Sequence, residues 1–98
     1  MKADINQVKA EIDTNLKFLK ENYNVKELGV FGSLARGENT ESSDIDLLVE
    51  FSQPVGFFKF IELEDYLSKL FGKKVDLVTK KALKSAIRED VLKEVVYV

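Results

Sequence analysis

Cysteine and histidine are both absent from this 98-residue chain. The first absence excludes disulfides, thiolate metal sites and thiol nucleophiles, and the second removes imidazole as a base or ligand. Any metal must therefore be held by oxygen. No apolar stretch approaches the roughly 20 residues of a membrane span, and Met1-Lys2-Ala3-Asp4-Ile5 lacks the apolar core of a signal peptide. A cytoplasmic protein with no membrane partner is the expectation. A basic surplus is missing too: 15 Lys and Arg stand against 17 Asp and Glu, a formal net charge of −2, so direct nucleic-acid binding is not expected.

What is present suits one folded unit. An apolar share of 45% and a charged share of 33% provide a core and a solvated surface without marking disorder, and the length allows a single domain over residues 1–98. Neither repeat nor linker interrupts it.

Ile5, Val8, Ile12, Leu16 and Leu19 recur at helical spacing and predict an amphipathic helix over about residues 3–22, its apolar stripe laid on a sheet. Val25 to Phe31 reads as a first strand ending at Gly32, with a short helical turn beginning at Ser33. The polar run Glu38 to Ser43 is turn-forming, and Asp44 to Phe51 returns to strand character. After the break at Ser52-Gln53-Pro54, the stripe Phe57, Phe60, Leu63, Leu67 and Leu70 predicts a helix stopped by Gly72 as its C-cap. Lys73 to Thr79 reads as a third strand. Leu83, Ala86, Ile87 and Val91 suggest a last helix, and the apolar tail Val95 to Val98 is read either as a short strand or as a docking segment. The order of elements predicts one α/β domain.

The second strand opens with Asp44 and Asp46 separated by one apolar residue, which places both carboxylates on one face. Adjacent anions repel, and a hard divalent cation, magnesium or manganese, reverses that cost. Taken alone, Asp-x-Asp reads more readily as a solvated turn. Its context is Gly32-Ser33 at the end of the preceding strand, where glycine admits close backbone approach and the Ser33 hydroxyl and exposed N–H groups suit a phosphate. A phosphate cradle beside a carboxylate pair forms the two halves of a metal-assisted phosphoryl-transfer site. Asp76, set among Val75, Leu77 and Val78, is read as a buried third carboxylate. It fits the support of a second metal ion and deprotonation of an acceptor hydroxyl; the bland reading is an edge residue facing water.

From Gly32-Ser33-Leu34-Ala35-Arg36-Gly37 through Ser43-Asp44-Ile45-Asp46-Leu47, with ten residues between Gly-Ser and Asp-x-Asp, the chain resembles the DNA polymerase β-like nucleotidyltransferases. Its wording is most similar to the minimal nucleotidyltransferases, the antitoxins of HEPN/MNT toxin–antitoxin pairs. The resemblance runs on through Val75-Asp76-Leu77-Val78 and the closing segment Ile87 to Glu94. It implies a small mixed β-sheet flanked by helices, Mg2+ (two ions, with Mn2+ as the substitute) on Asp44, Asp46 and Asp76, and a nucleoside triphosphate, usually ATP. Gly32 and Ser33 lie at the phosphates in this reading, and Arg36 and Ser43 join them as nucleotide-binding residues. The implied reaction is transfer of AMP to a tyrosine of a partner HEPN ribonuclease, which silences that toxin.

For Arg36 two other readings stand beside this one: contact with an acidic patch of the partner, or a solvated surface arginine. Lys73, Lys74, Lys80, Lys81 and Lys84 likewise read as a solvated face or as a phosphate or partner contact. Transfer to a small molecule or a nucleic acid is disfavoured by the short length. An antitoxin that blocks its partner without catalysis is the alternative from a different class.

Overall fold

A computed structural model describes residues 3–98 of the chain. The first amphipathic segment forms α1 (Ile5–Tyr23), closed at its start by the Asp4 carboxylate, which accepts from the N–H groups of Asn6 at 2.8 Å and Gln7 at 3.3 Å. Asn24, in the left-handed region at φ 54°, ends it. There follow β1 (Val25–Phe31), the five-residue α2 (Gly32–Arg36), β2 (Ile45–Phe51) and α3 (Phe57–Phe71), which Gly72 closes as its sequence position predicts. The chain then runs through β3 (Val75–Thr79), a 3-10 turn (Lys80–Ala82), α4 (Ser85–Glu94) and β4 (Val96–Tyr97).

The strands lie in the order β3-β2-β1-β4. β1 is antiparallel to both β2 and β4, whereas β2 and β3 are parallel, joined by the α3 crossover. The sheet is therefore mixed, and the α/β expectation holds.

Alternation along β2 sends Ile45, Leu47 and Val49 to one face and Asp46 and Leu48 to the other. On the first face α1 and α3 bury Val8, Ile12, Leu19, Leu63 and Leu67 against Leu28, Val30, Val75 and Leu77. On the second face a smaller cluster joins Leu48, Leu83 and Val91, with Phe31, Val78, Leu92 and Val95 packed around it. Its members on β2 and β3, Leu48 and Val78, stand two residues along from Asp46 and Asp76. On β2 and β3 the apolar cover stops there; on β1 it reaches Phe31, beside Asp46, and Asp76 is left exposed.

Two expectations change, and one open alternative is decided. Asp44 stands just ahead of β2, and Lys73 and Lys74 just ahead of β3. The tail takes the first of its two readings and becomes β4, with Tyr97 opposite Gly29, Val96 opposite Val30, and the Val98 N–H donating to the Leu28 carbonyl at 3.0 Å. A Cβ on Gly29 would lie 2.5 Å from a Val95 methyl and 3.1 Å from the Tyr97 ring, so the bare glycine is what lets the tail lie close. Asp76 is exposed, not buried. β3 is an outer strand, and at exposed Asp76 solvation meets the charge.

Candidate active site

Phe31, the last residue of β1, is paired with Asp46, and Asp46 is paired in turn with Asp76 on β3. The turn into α2 and two carboxylates are thereby brought to one end of one face. Gly32 follows at φ 73°, a conformation that L side chains rarely adopt. A Cβ at this position would run into the Asp46 carboxylate. Close approach of the Gly-Ser turn to the Asp-x-Asp strand is thus built into the backbone.

The Asp46 carboxyl is half-buried and its pKa is raised, first by burial, then by the nearby charges of Asp76 and Asp44; Arg36 opposes the rise. Asp44 is exposed, with Lys74 Nζ 3.9 Å away. Three oxygen donors of one sign, poorly compensated by the protein, suit a hard divalent cation. Among the described residues, however, no group of three or more acidic side chains stands close enough to make a ready-made cage. In this conformation the aspartates are neighbours and not yet a closed coordination shell.

Arg36, at the end of α2, donates from Nε to Glu38 at 3.1 Å and from Nη1 to both oxygens of Glu94, at 3.1 and 3.4 Å. These bonds raise its pKa. The same Glu94 carboxylate accepts the Gly32 N–H at 2.9 Å. That N–H is consequently committed within the protein, and of the expected cradle the Ser33 backbone and hydroxyl stand next in line. Ser43 uses its hydroxyl locally: it accepts from the Thr40 N–H at 2.9 Å and lies 3.3 Å from the Thr40 hydroxyl, shaping the turn that delivers Asp44. Of the lysine cluster, Lys80 is tied to Glu50 at 3.0 Å, at the other end of β2 from the aspartates. A concavity of about 420 Å3 around Phe51, Pro54 and Lys80 also lies at that far end, and the aspartates do not line it.

Glu94 is the residue that sequence reasoning missed. It appeared only as the last letter of the closing segment, and nothing local marks a glutamate at a helix end as a partner of a turn 62 residues earlier.

A Gly-Ser turn pressed against Asp-x-Asp, on a mixed sheet backed by two helices, defines a nucleotidyltransferase. Residues 12–98 match the nucleotidyltransferase domain family, and the chain belongs to it. It is 49% identical over 94 residues to the protein adenylyltransferase MntA of Thermococcus cleftensis, covering 96% of this chain and 95% of that protein. A solved structure of a candidate minimal nucleotidyltransferase superposes with a TM-score of 0.80 at 34% identity, covering 96% of this chain and 95% of the other. The MNT antitoxin solved in complex with a tri-AMPylated Shewanella oneidensis HEPN toxin shares the fold, with a TM-score of 0.66 at 20% identity over 92% of this chain and 70% of that one. No helix among the described residues is long and apolar enough to cross a membrane.

Proposed function

We propose that the chain is a protein adenylyltransferase of the antitoxin kind, which transfers AMP from Mg-ATP to a tyrosine hydroxyl of a HEPN-type partner and so neutralises it. The observation that carries this reading is the junction of Gly32 with Asp46, with Asp76 in register beside it. Likeness to MntA and to the antitoxin of the AMPylated complex supports the choice of a protein acceptor.

The acceptor oxygen forms a bond to the α-phosphorus, the bond from that phosphorus to the α,β-bridge oxygen breaks, and pyrophosphate leaves. Ser33 holds the terminal phosphates with its N–H and hydroxyl, and the donors of Arg36 not spent on Glu38 and Glu94 meet the charge of the leaving group. Ser43 serves at the nucleotide by fixing the turn before Asp44. Asp76, exposed at the rim, takes the proton of the tyrosine hydroxyl. Asp44, Asp46 and Asp76 are the residues that would hold Mg2+, as two ions, and bound magnesium would neutralise phosphate charge and lower the pKa of the acceptor.

Incubating the protein with ATP, magnesium and a HEPN-type protein, then weighing that partner by intact mass, tests the reading. A mass gain of one or more AMP units is expected, lost in the Asp44→Ala, Asp46→Ala double variant. An unmodified partner that the double variant still inhibits would mean steric blocking without catalysis.

A further inference from the structure

We propose that Glu94 is a positioning residue of the transfer site, acting on the nucleotide through Gly32 and Arg36. The inference deepens the reading just given and rests on it for the identity of the nucleotide. Glu94 is the last residue of α4, with its side chain 25% exposed against 48% for Arg36, so the carboxylate is the more enclosed partner of the pair. One oxygen accepts the Gly32 N–H at 2.9 Å and also faces Arg36 Nη1 at 3.4 Å, while the other accepts from Nη1 at 3.1 Å. A single carboxylate thus joins the first peptide of the Gly-Ser turn to the arginine one helical turn later.

Two consequences follow for the site. The Gly32 peptide, in a backbone conformation that has few alternatives to hold it, is fixed from outside the turn, and with it the orientation of the Ser33 N–H. The guanidinium is held on two sides, by Glu38 at Nε and by Glu94 at Nη1, so its remaining N–H donors keep one direction. A planar, pre-aimed fork loses little freedom on meeting a phosphate.

Glu94 has its own anchor. The chain continues from it directly into Val95, packed in the second-face cluster, and β4, paired with β1. The strand that leads into Gly32 and the strand that follows Glu94 are hydrogen-bonded neighbours, so seating β4 places the carboxylate at the turn.

The test is a double-mutant cycle read in nucleotide affinity, which needs neither an acceptor nor turnover. Binding of a non-hydrolysable ATP analogue in excess magnesium is measured by calorimetry for the wild type, Glu94→Gln, Arg36→Gln and the double variant, with a thermal melt of each. Glu94→Gln retains a carbonyl oxygen for the Gly32 N–H but releases the charged hold on Arg36; about tenfold weaker binding is expected, shrinking to less than about threefold once Arg36 is Gln. A loss of equal size in both backgrounds, or one that follows the melting temperature, would make Glu94 a structural residue only. Unchanged affinity in Glu94→Gln overturns the proposal as well. Should Glu94→Gln not fold, Glu94→Asp keeps the charge but withdraws the carboxylate by one carbon, and the same coupling to Arg36 is expected. If the wild type binds the analogue but never modifies a partner protein, the acceptor assignment fails while the Glu94 result still stands.

Discussion

Asp46 and Asp76 face each other across β2 and β3 in parallel register, so their carboxylates rise from the same face of the sheet, one strand spacing of about 4.8 Å apart at the backbone. The pairing adds to the rise in the Asp46 pKa, of which burial is the largest cause and the Asp76 charge the second. It also makes the ion-free site a place where folding works against charge.

Asp46→Asn is therefore expected to melt higher than the wild type at neutral pH in EDTA, while losing transfer. An acid whose pKa is higher folded than unfolded binds its proton more tightly in the native state, so its stabilising share is complete below the unfolded pKa and lost as pH rises through the folded one. Asparagine carries no such loss. A melt at pH 7 that is unchanged or lower would show that the carboxylate has compensation not seen in the fold.

Magnesium should reverse the order. An ion that binds only the native protein raises its melting temperature with concentration, and the wild type is expected to gain steadily on titration while Asp46→Asn gains little. Scanning fluorimetry with magnesium, manganese and calcium in parallel checks both the effect and the preference for small hard ions.

Gly32→Ala tests the junction between the two halves of the site. The added methyl meets the Asp46 carboxylate at a positive φ, and a loss of about 1–3 kcal/mol in stability is expected together with loss of analogue binding. Chemical denaturation and calorimetry read the two effects separately.

Leu67, fully buried between α3 and the sheet, contrasts with Phe58, 86% exposed at the start of the same helix. Leu67→Ala is expected to cost about 2–5 kcal/mol, while Phe58→Ser stays within about 0.5 kcal/mol, measured by urea denaturation.

Gly29→Val should dislodge the tail. Its side chain would meet Val95 and Tyr97, so faster amide exchange at Val96 and Val98 is expected, with nucleotide binding weakened as Glu94 loses its anchor.

Much of this was legible in the chain because it is local. The period of the apolar residues in α1 and α3, the Gly72 stop, and the alternation that turns Asp46 away from Ile45 and Leu47 all depend on neighbours a few positions off. Asp44 and Asp46 are legible as a same-face pair for that reason. For Asp76 the apolar neighbours suggest burial, with an edge residue facing water as the other reading; the strand order makes β3 outermost and sets Asp76 beside Asp46. Ser43 was placed at the nucleotide by resemblance, and its hydroxyl is seen bonding inside its own turn. Glu94 was beyond reach, because its partners Arg36 and Gly32 lie 58 and 62 residues away and no spacing rule spans a fold.

The outermost position of β3 bears on how a reaction partner arrives. Asp76 stands at the rim of the sheet, and no tunnel has to be threaded to reach it. A hydroxyl carried on the surface of a fully folded macromolecule can come alongside without unwinding a segment to insert it. If the acceptor is a folded protein, as proposed, discrimination at such a rim would rest on how two broad surfaces match.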